Sequence, residues 1–176
     1  MLSIFKNAEQ YPDRVALRDK TGSYTYKDIV KASNKTASAL IGNDSDLKEQ
    51  RIGFLIPPSF EYVSILWGIW KAGGIGIPFS LSATESELTH YLNDSKISLL
   101  ISDKEGSEKL RKLATNLQIP LMTAEDLQGK EESTLPEIGE ERRAMILYTS
   151  GTTNKPKGVV STHGNIEAQI SSLVNA

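Results

Sequence analysis

The sequence predicts an α/β fold, Rossmann-like, with a mostly parallel sheet flanked by helices. Three observations carry that expectation. From Arg51 onward, short apolar runs alternate with helical patterns at the spacing of strand-helix units. Two of those runs, Ile52 to Ile56 and Ile75 to Phe79, are nearly free of polar residues, as strands buried on both faces require. The helical stretches between strands carry their own start and stop residues.

In chain order, residues 1–50 supply opening helices and a strand. Val15 to Arg18 reads as a short strand and Lys20-Thr21-Gly22 as a turn. Thr25 then caps a helix, with Asp28 in its first turn and Ile29, Ala32, Thr36, Ala39 and Leu40 along one side. Asn43 to Glu49 is a polar loop. Residues 51–128 form the alternating region. Pro57-Pro58 ends the strand that begins at Ile52, and Ser59 caps a helix with Tyr62, Ile65, Leu66 and Ile69 on one face. Gly73 supplies the left-handed stop. Thr84-Glu85-Ser86-Glu87 is a capping box. A strand is expected at Ile97 to Ile101, a charged helix at Lys104 to Leu117, and a marginal strand at Ile119 to Met122. Residues 129–143 read as an acidic surface loop, and residues 144–176 open on the apolar run Ala144 to Tyr148.

Composition excludes several function classes. A chain of 176 residues buries roughly 70% of the surface its unfolded form exposes, so it needs no staples. It has no cysteine, which removes disulfides, thiolate metal sites and a cysteine nucleophile. The two histidines, His90 and His163, lack ligand-like spacing, so no metal site is expected. A net charge of −2 argues against nucleic acid as a partner. The apolar stretch Tyr62 to Phe79 is broken by Lys71, Gly73-Gly74 and Pro78 into pieces too short for a membrane span. The opening residues lack a signal-peptide core, and early acids count against a mitochondrial presequence, so the expected location is cytoplasmic. Mitochondrial remains the alternative if the true N-terminus lies upstream.

Chemistry is to be sought in the loop that follows the strand ending at Tyr148, because ligands of such folds sit outside the carboxyl ends of the strands. That loop reads Thr149-Ser150-Gly151-Thr152-Thr153-Asn154-Lys155-Pro156-Lys157-Gly158. Its hydroxyls donate hydrogen bonds, its glycines let backbone N–H groups turn inward, and its lysines add point charges. No acidic residue occurs from Ala144 to Ile166. The set suits a polyphosphate. It is not a Walker loop, because Gly158 is followed by Val159.

The order Tyr148 to Val159 resembles the phosphate-loop signature of the adenylate-forming superfamily, which includes acyl-CoA synthetases, luciferases and peptide-synthetase adenylation domains. Tyr24-Thr25-Tyr26-Lys27-Asp28-Ile29, the segment Trp70 to Pro78, and Thr162-His163-Gly164-Asn165-Ile166 are similar to further family segments. Trp70 before Lys71-Ala72-Gly73-Gly74 and the stretch Leu92 to Leu100 look most like malonyl-CoA synthetase-type members. Asn154 departs from the glycine most common there, and asparagine tolerates the left-handed backbone that glycine would supply.

The resemblance implies the N-terminal subdomain of an adenylate-forming enzyme, truncated, with the mobile C-terminal lid absent. It implies ATP as cofactor, held by Thr149, Ser150, Gly151, Thr152, Thr153, Asn154, Lys155, Pro156 and Lys157, with Lys157 the main cation. Mg2+, coenzyme A and a small carboxylic acid enter as partners of the parent reaction, their contacts expected downstream. The implied reaction joins the acid to ATP as an acyl-adenylate and then passes the acyl group to coenzyme A. Transfer to a carrier protein and a non-catalytic nucleotide-binding remnant are the alternatives. No catalytic residue is expected in this chain, and an unfinished sheet edge would favour self-association. Trp67 and Trp70 read as core packing, Glu61 as a solvated helix residue, and His163 either as a brace at the loop-to-helix junction or as a substrate contact.

Overall fold

A computed structural model describes residues 2–127, 134–149 and 156–174. Helix α1 (Ser3–Gln10) leads into a small hairpin of β1 (Val15–Arg18) and β2 (Ser23–Thr25), then α2 (Tyr26–Ile41). The alternating region follows as β3 (Arg51–Leu55), α3 (Phe60–Lys71), β4 (Ile75–Pro78), α4 (Glu85–Ser95), β5 (Leu99–Ser102), α5 (Lys104–Leu117) and β6 (Leu121–Thr123). Then come β7 (Arg143–Thr149), β8 (Lys157–Thr162) and α6 (His163–Val174). The main sheet has the order β6-β5-β3-β4-β7-β8. Its pairs are parallel except β7 with β8, which is antiparallel. This is the mostly parallel sheet expected from the sequence, closed on one side by an antiparallel edge strand.

Local chemistry accounts for the element ends. Thr25 Oγ1 accepts from the Asp28 amide while the Asp28 carboxylate accepts from the Thr25 amide, and Thr84 and Glu87 repeat the arrangement at α4. Ser59 Oγ accepts from the Tyr62 amide and opens α3. Gly73, with φ of 80°, ends α3 in the left-handed region. One sheet face packs Leu55, Ile77, Leu88, Leu92, Leu100 and Leu110 beneath α4 and α5. The other packs Ile52, Phe54, Ile65, Ile69 and Ile101 beneath α2 and α3. A third cluster joins Phe5, Trp67, Trp70, Ala144 and Ile166. Both tryptophans are therefore core residues, as expected.

Several boundaries differ from the sequence reading. The strand expected from Ile97 begins at Leu99, because Lys96 ends α4 with φ of 49° and the Ile97 amide still donates back to the Leu92 carbonyl. The strand expected from Ile119 begins at Leu121, because Gln118 is left-handed and the Ile119 amide closes onto Ala114. Strands β2 and β8 were not anticipated; β2 is three residues long and lies between an expected turn and cap, and β8 begins on residues read as loop. Glu61 is half-buried, not solvated, and burial first, then Asp103 and Glu125, push its carboxyl above the ordinary range. The first part of the expected acidic loop, residues 129–133, lies outside the described residues, as does residue 128 before it.

Candidate functional site

Strand β7 runs parallel to β4, so its last residue, Thr149, stands at the carboxyl ends of the parallel strands. The chain returns at Lys157, which is paired with Thr149 in the β7–β8 register. Directly paired residues of an antiparallel ladder project from the same face. The Thr149 hydroxyl and the Lys157 ammonium therefore flank one mouth, and both residues are exposed. Pro156 precedes the returning strand. The remaining expected ligands, Ser150, Gly151, Thr152, Thr153, Asn154 and Lys155, lie outside the described residues.

The strand behind the mouth is fixed against α4. The Tyr148 ring stacks on Tyr91 with centroids 4.2 Å apart, and its hydroxyl donates to Asp94 Oδ2 at 2.7 Å. Burial, then the Asp94 contact, raise the Tyr148 phenol to about 12, so it keeps its proton at neutral pH. Gly158 faces Tyr148 across the ladder. A Cβ there would stand 3.0 Å from Ile146 Cγ2 and 3.3 Å from Tyr148 Cζ, so a larger residue would press on both side chains. On the returning side, His90 Nε2 lies 2.9 Å from the Pro156 carbonyl oxygen. A carbonyl only accepts, so Nε2 carries the proton. Neither His90 nor Asp94 was singled out from the sequence. Asp94 also places a carboxylate beside a segment whose own sequence contains none.

The neighbouring helix α3 has its N-terminus closed by the chain itself. Asp19 Oδ2 accepts from the Phe60 amide at 2.9 Å. That bond, with further ones from Thr21 and Gly22, lowers the Asp19 carboxyl to about 2. The hairpin β1–β2 thus occupies an amide that an anion could otherwise use.

His163 belongs to the opposite end of β8. The six residues from Lys157 to Thr162 separate it from the loop by about 20 Å at ~3.3 Å per residue. Its ring is buried edge-on to Trp70, whose Nε1 donates to the Ala144 carbonyl at 2.8 Å. Burial, then the Arg142 charge, lower the imidazole to about 4. His163 thus stands at a strand-to-helix junction, where the sequence reading had a loop-to-helix junction, and its ring lies well away from Thr149 and Lys157. A cavity of about 530 Å³ also lies at this end, lined by Phe5, Trp70, Lys71, Leu135 and His163 among others. It is remote from Thr149 and Lys157.

Among the described residues no three His, Asp or Glu side chains converge on a common point that could hold a metal ion. No helix among them is long and apolar enough to cross a membrane.

Residues 4–176 match the family of AMP-binding enzymes. The chain belongs to that family. It is 36% identical over 188 residues to the malonate–CoA ligase ACSF3, mitochondrial, of Xenopus laevis, covering 99% of this chain and 32% of that protein. It is 34% identical over 201 residues to the malonate–CoA ligase of Arabidopsis thaliana, covering 99% of this chain and 33% of that one. The ATP-bound structure of MatB from Rhodopseudomonas palustris superposes with a TM-score of 0.83 at 22% identity, over 99% of this chain and 38% of that chain. The chain thus spans about a third of the length of the curated relatives it matches. Its architecture is that of the N-terminal subdomain of adenylate-forming enzymes.

Proposed function

We propose that this chain supplies the polyphosphate-holding part of an ATP-dependent acyl-CoA synthetase. The observation that carries the proposal is the β7–β8 hairpin. It sets Thr149 opposite Lys157 at the carboxyl edge of the parallel sheet, and its connecting residues spell the adenylate-forming signature. In the proposed reaction a carboxylate attacks the α-phosphorus of ATP, forming an acyl-adenylate and releasing pyrophosphate. A thiol then displaces AMP. A free carboxylate is a poor acyl donor because oxide is its leaving group, and adenylation replaces oxide by AMP.

The chain's share is to bind and orient the β- and γ-phosphates, so that charge developing on departing pyrophosphate meets fixed donors. Hydroxyls and amides of residues 149–153 provide those donors, and Lys157 the principal cation. The names of the relatives favour coenzyme A over a carrier protein as acceptor and a small acid such as malonate as substrate. Mg2+ and coenzyme A are assigned to none of the described residues. On this reading the 176 residues alone do not complete the reaction, and ATP–pyrophosphate exchange by the purified chain would contradict that. The proposed location is cytoplasmic, with the mitochondrial name of one malonate–CoA ligase relative marking the alternative. Strand β8, at the sheet edge with Val159 and Val160 exposed, is the proposed surface of self-association.

Isothermal calorimetry with ATP and with pyrophosphate tests the central claim. Saturable binding that weakens at least roughly tenfold in Lys157→Ala is expected, since a charge-assisted phosphate contact is worth about 1.5–3 kcal/mol. Equal binding by both proteins would remove Lys157 from the site.

A further inference from the structure

We infer that α4 is the positioning element of the phosphate loop, with His90 and Asp94 each holding one of its two limbs; the inference rests on the phosphate reading above. The two residues are four apart in one helix, so they share a face one turn from each other. Asp94 accepts the Tyr148 hydroxyl proton at 2.7 Å, on the residue immediately before Thr149. His90 donates from Nε2 to the Pro156 carbonyl at 2.9 Å, on the residue immediately before Lys157. Each proposed phosphate ligand that the structure describes is therefore adjacent in sequence to a residue pinned to α4.

The two pins differ in kind. The Tyr148 attachment is redundant, since ring stacking on Tyr91 adds to its hydrogen bond and β7 continues behind it into the sheet. The Pro156 attachment is single in character. Proline has no backbone N–H, so Pro156 cannot donate to the ladder, and its carbonyl is the polar group through which α4 holds the returning limb. Beyond β8 no further strand of the sheet supports that limb. Loss of His90 should accordingly shift Lys157 relative to Thr149 while leaving the fold intact. His90 is half-buried, donates to Pro156 and also meets the Tyr148 ring edge-on with centroids 6.0 Å apart. It is a positioning residue that acts through Pro156.

The test compares four proteins in pyrophosphate calorimetry: wild type, His90→Leu, His90→Gln and Lys157→Ala. Circular dichroism confirms that each is folded. Glutamine places an amide N–H where Nε2 stood and should bind within about threefold of wild type. Leucine should weaken binding roughly three- to tenfold, the fold-change expected for one hydrogen bond. Backbone hydrogen exchange at Lys157 and Gly158 should quicken in His90→Leu and return in His90→Gln. If Lys157→Ala loses affinity while His90→Leu keeps wild-type binding and exchange, the bracing role is overturned and the phosphate reading stands. If wild-type protein binds no pyrophosphate, the phosphate reading falls and the positioning role falls with it. If leucine and glutamine weaken binding equally, the hydrogen bond is not the means.

Discussion

The centre of the sheet and its β7–β8 edge are held by different forces. Strands β3, β4 and β5 bury Ile52, Phe54, Ile75, Ile77, Leu100 and Ile101 almost completely, between helices on both faces. The β7–β8 hairpin leaves Leu147, Val159 and Val160 substantially exposed and is tied down by polar contacts. Arg142 pairs with Asp46, Arg143 with Glu49, Tyr148 with Asp94, and His90 with the Pro156 carbonyl. Burial is non-directional and gives a stable platform. Hydrogen bonds and ion pairs are directional, and they suit the part of the molecule proposed to hold donors in register around a charged ligand.

The contrast is broken most directly by cutting the platform. Ile77→Ala, at a site with no exposure, should cost on the order of 3–4 kcal/mol in urea unfolding through lost burial and a residual cavity. Pyrophosphate affinity of the remaining folded protein should not change. Next in size is an effect of pH that the platform does not share. His163 titrates near 6.5 when unfolded and near 4 when folded. Between those values the unfolded chain binds more protons, so stability is full above pH 6.5 and declines as pH falls towards 4. Wild type should lose roughly 3 kcal/mol over that window, and His163→Phe should lose much less, read as the difference between the two pH–stability curves. Coincident curves would show that His163 is not kept neutral by its burial against Trp70.

The same contrast explains what could be read in advance. The platform was legible because its cues are local: capping boxes at Thr25 and Thr84, the stop at Gly73, and apolar runs of strand length. The shifts at Ile97 and Ile119 arise where a left-handed residue lets the helix reclaim the next amide, which periodicity does not reveal. The hairpin was legible only as a motif. Lys157 to Thr162 lacks strict alternation, and its identity as a strand depends on pairing with β7. His90 and Pro156 are 66 residues apart and Tyr148 and Asp94 are 54 apart, and nothing in either segment announces its partner. The order of residues in the loop pointed to phosphate, whereas the means of holding that loop emerges only from tertiary packing.

The smallest of these effects is the sharpest test of directional anchoring at the edge. Arg142 donates to both oxygens of Asp46 at 2.9 and 3.0 Å and to the Gly73 carbonyl at 2.8 Å. It thereby joins the start of β7 to the loop before β3 and to the end of α3. Its hydrogen bond is the main cause holding the Asp46 carboxyl below its ordinary value of 3.8. Arg142→Met keeps the aliphatic stem and removes the fork, while Asp46 retains the Lys48 amide at 2.7 Å. The expected loss is about 2 kcal/mol at pH 7, the scale of a partly exposed charge-assisted pair. Because the folded carboxyl titrates lower than the unfolded one, this contribution is complete above pH 3.8 and fades below it. Denaturation of wild type and Arg142→Met should therefore differ near neutrality and converge in acid below pH 3.8, and a His163→Phe background removes the part of the difference that arises because the Arg142 charge also lowers the imidazole. A gap that persists undiminished at pH 2 would mean that Arg142 acts through its packed stem and the Gly73 carbonyl, and the edge would then be held in this corner as the platform is.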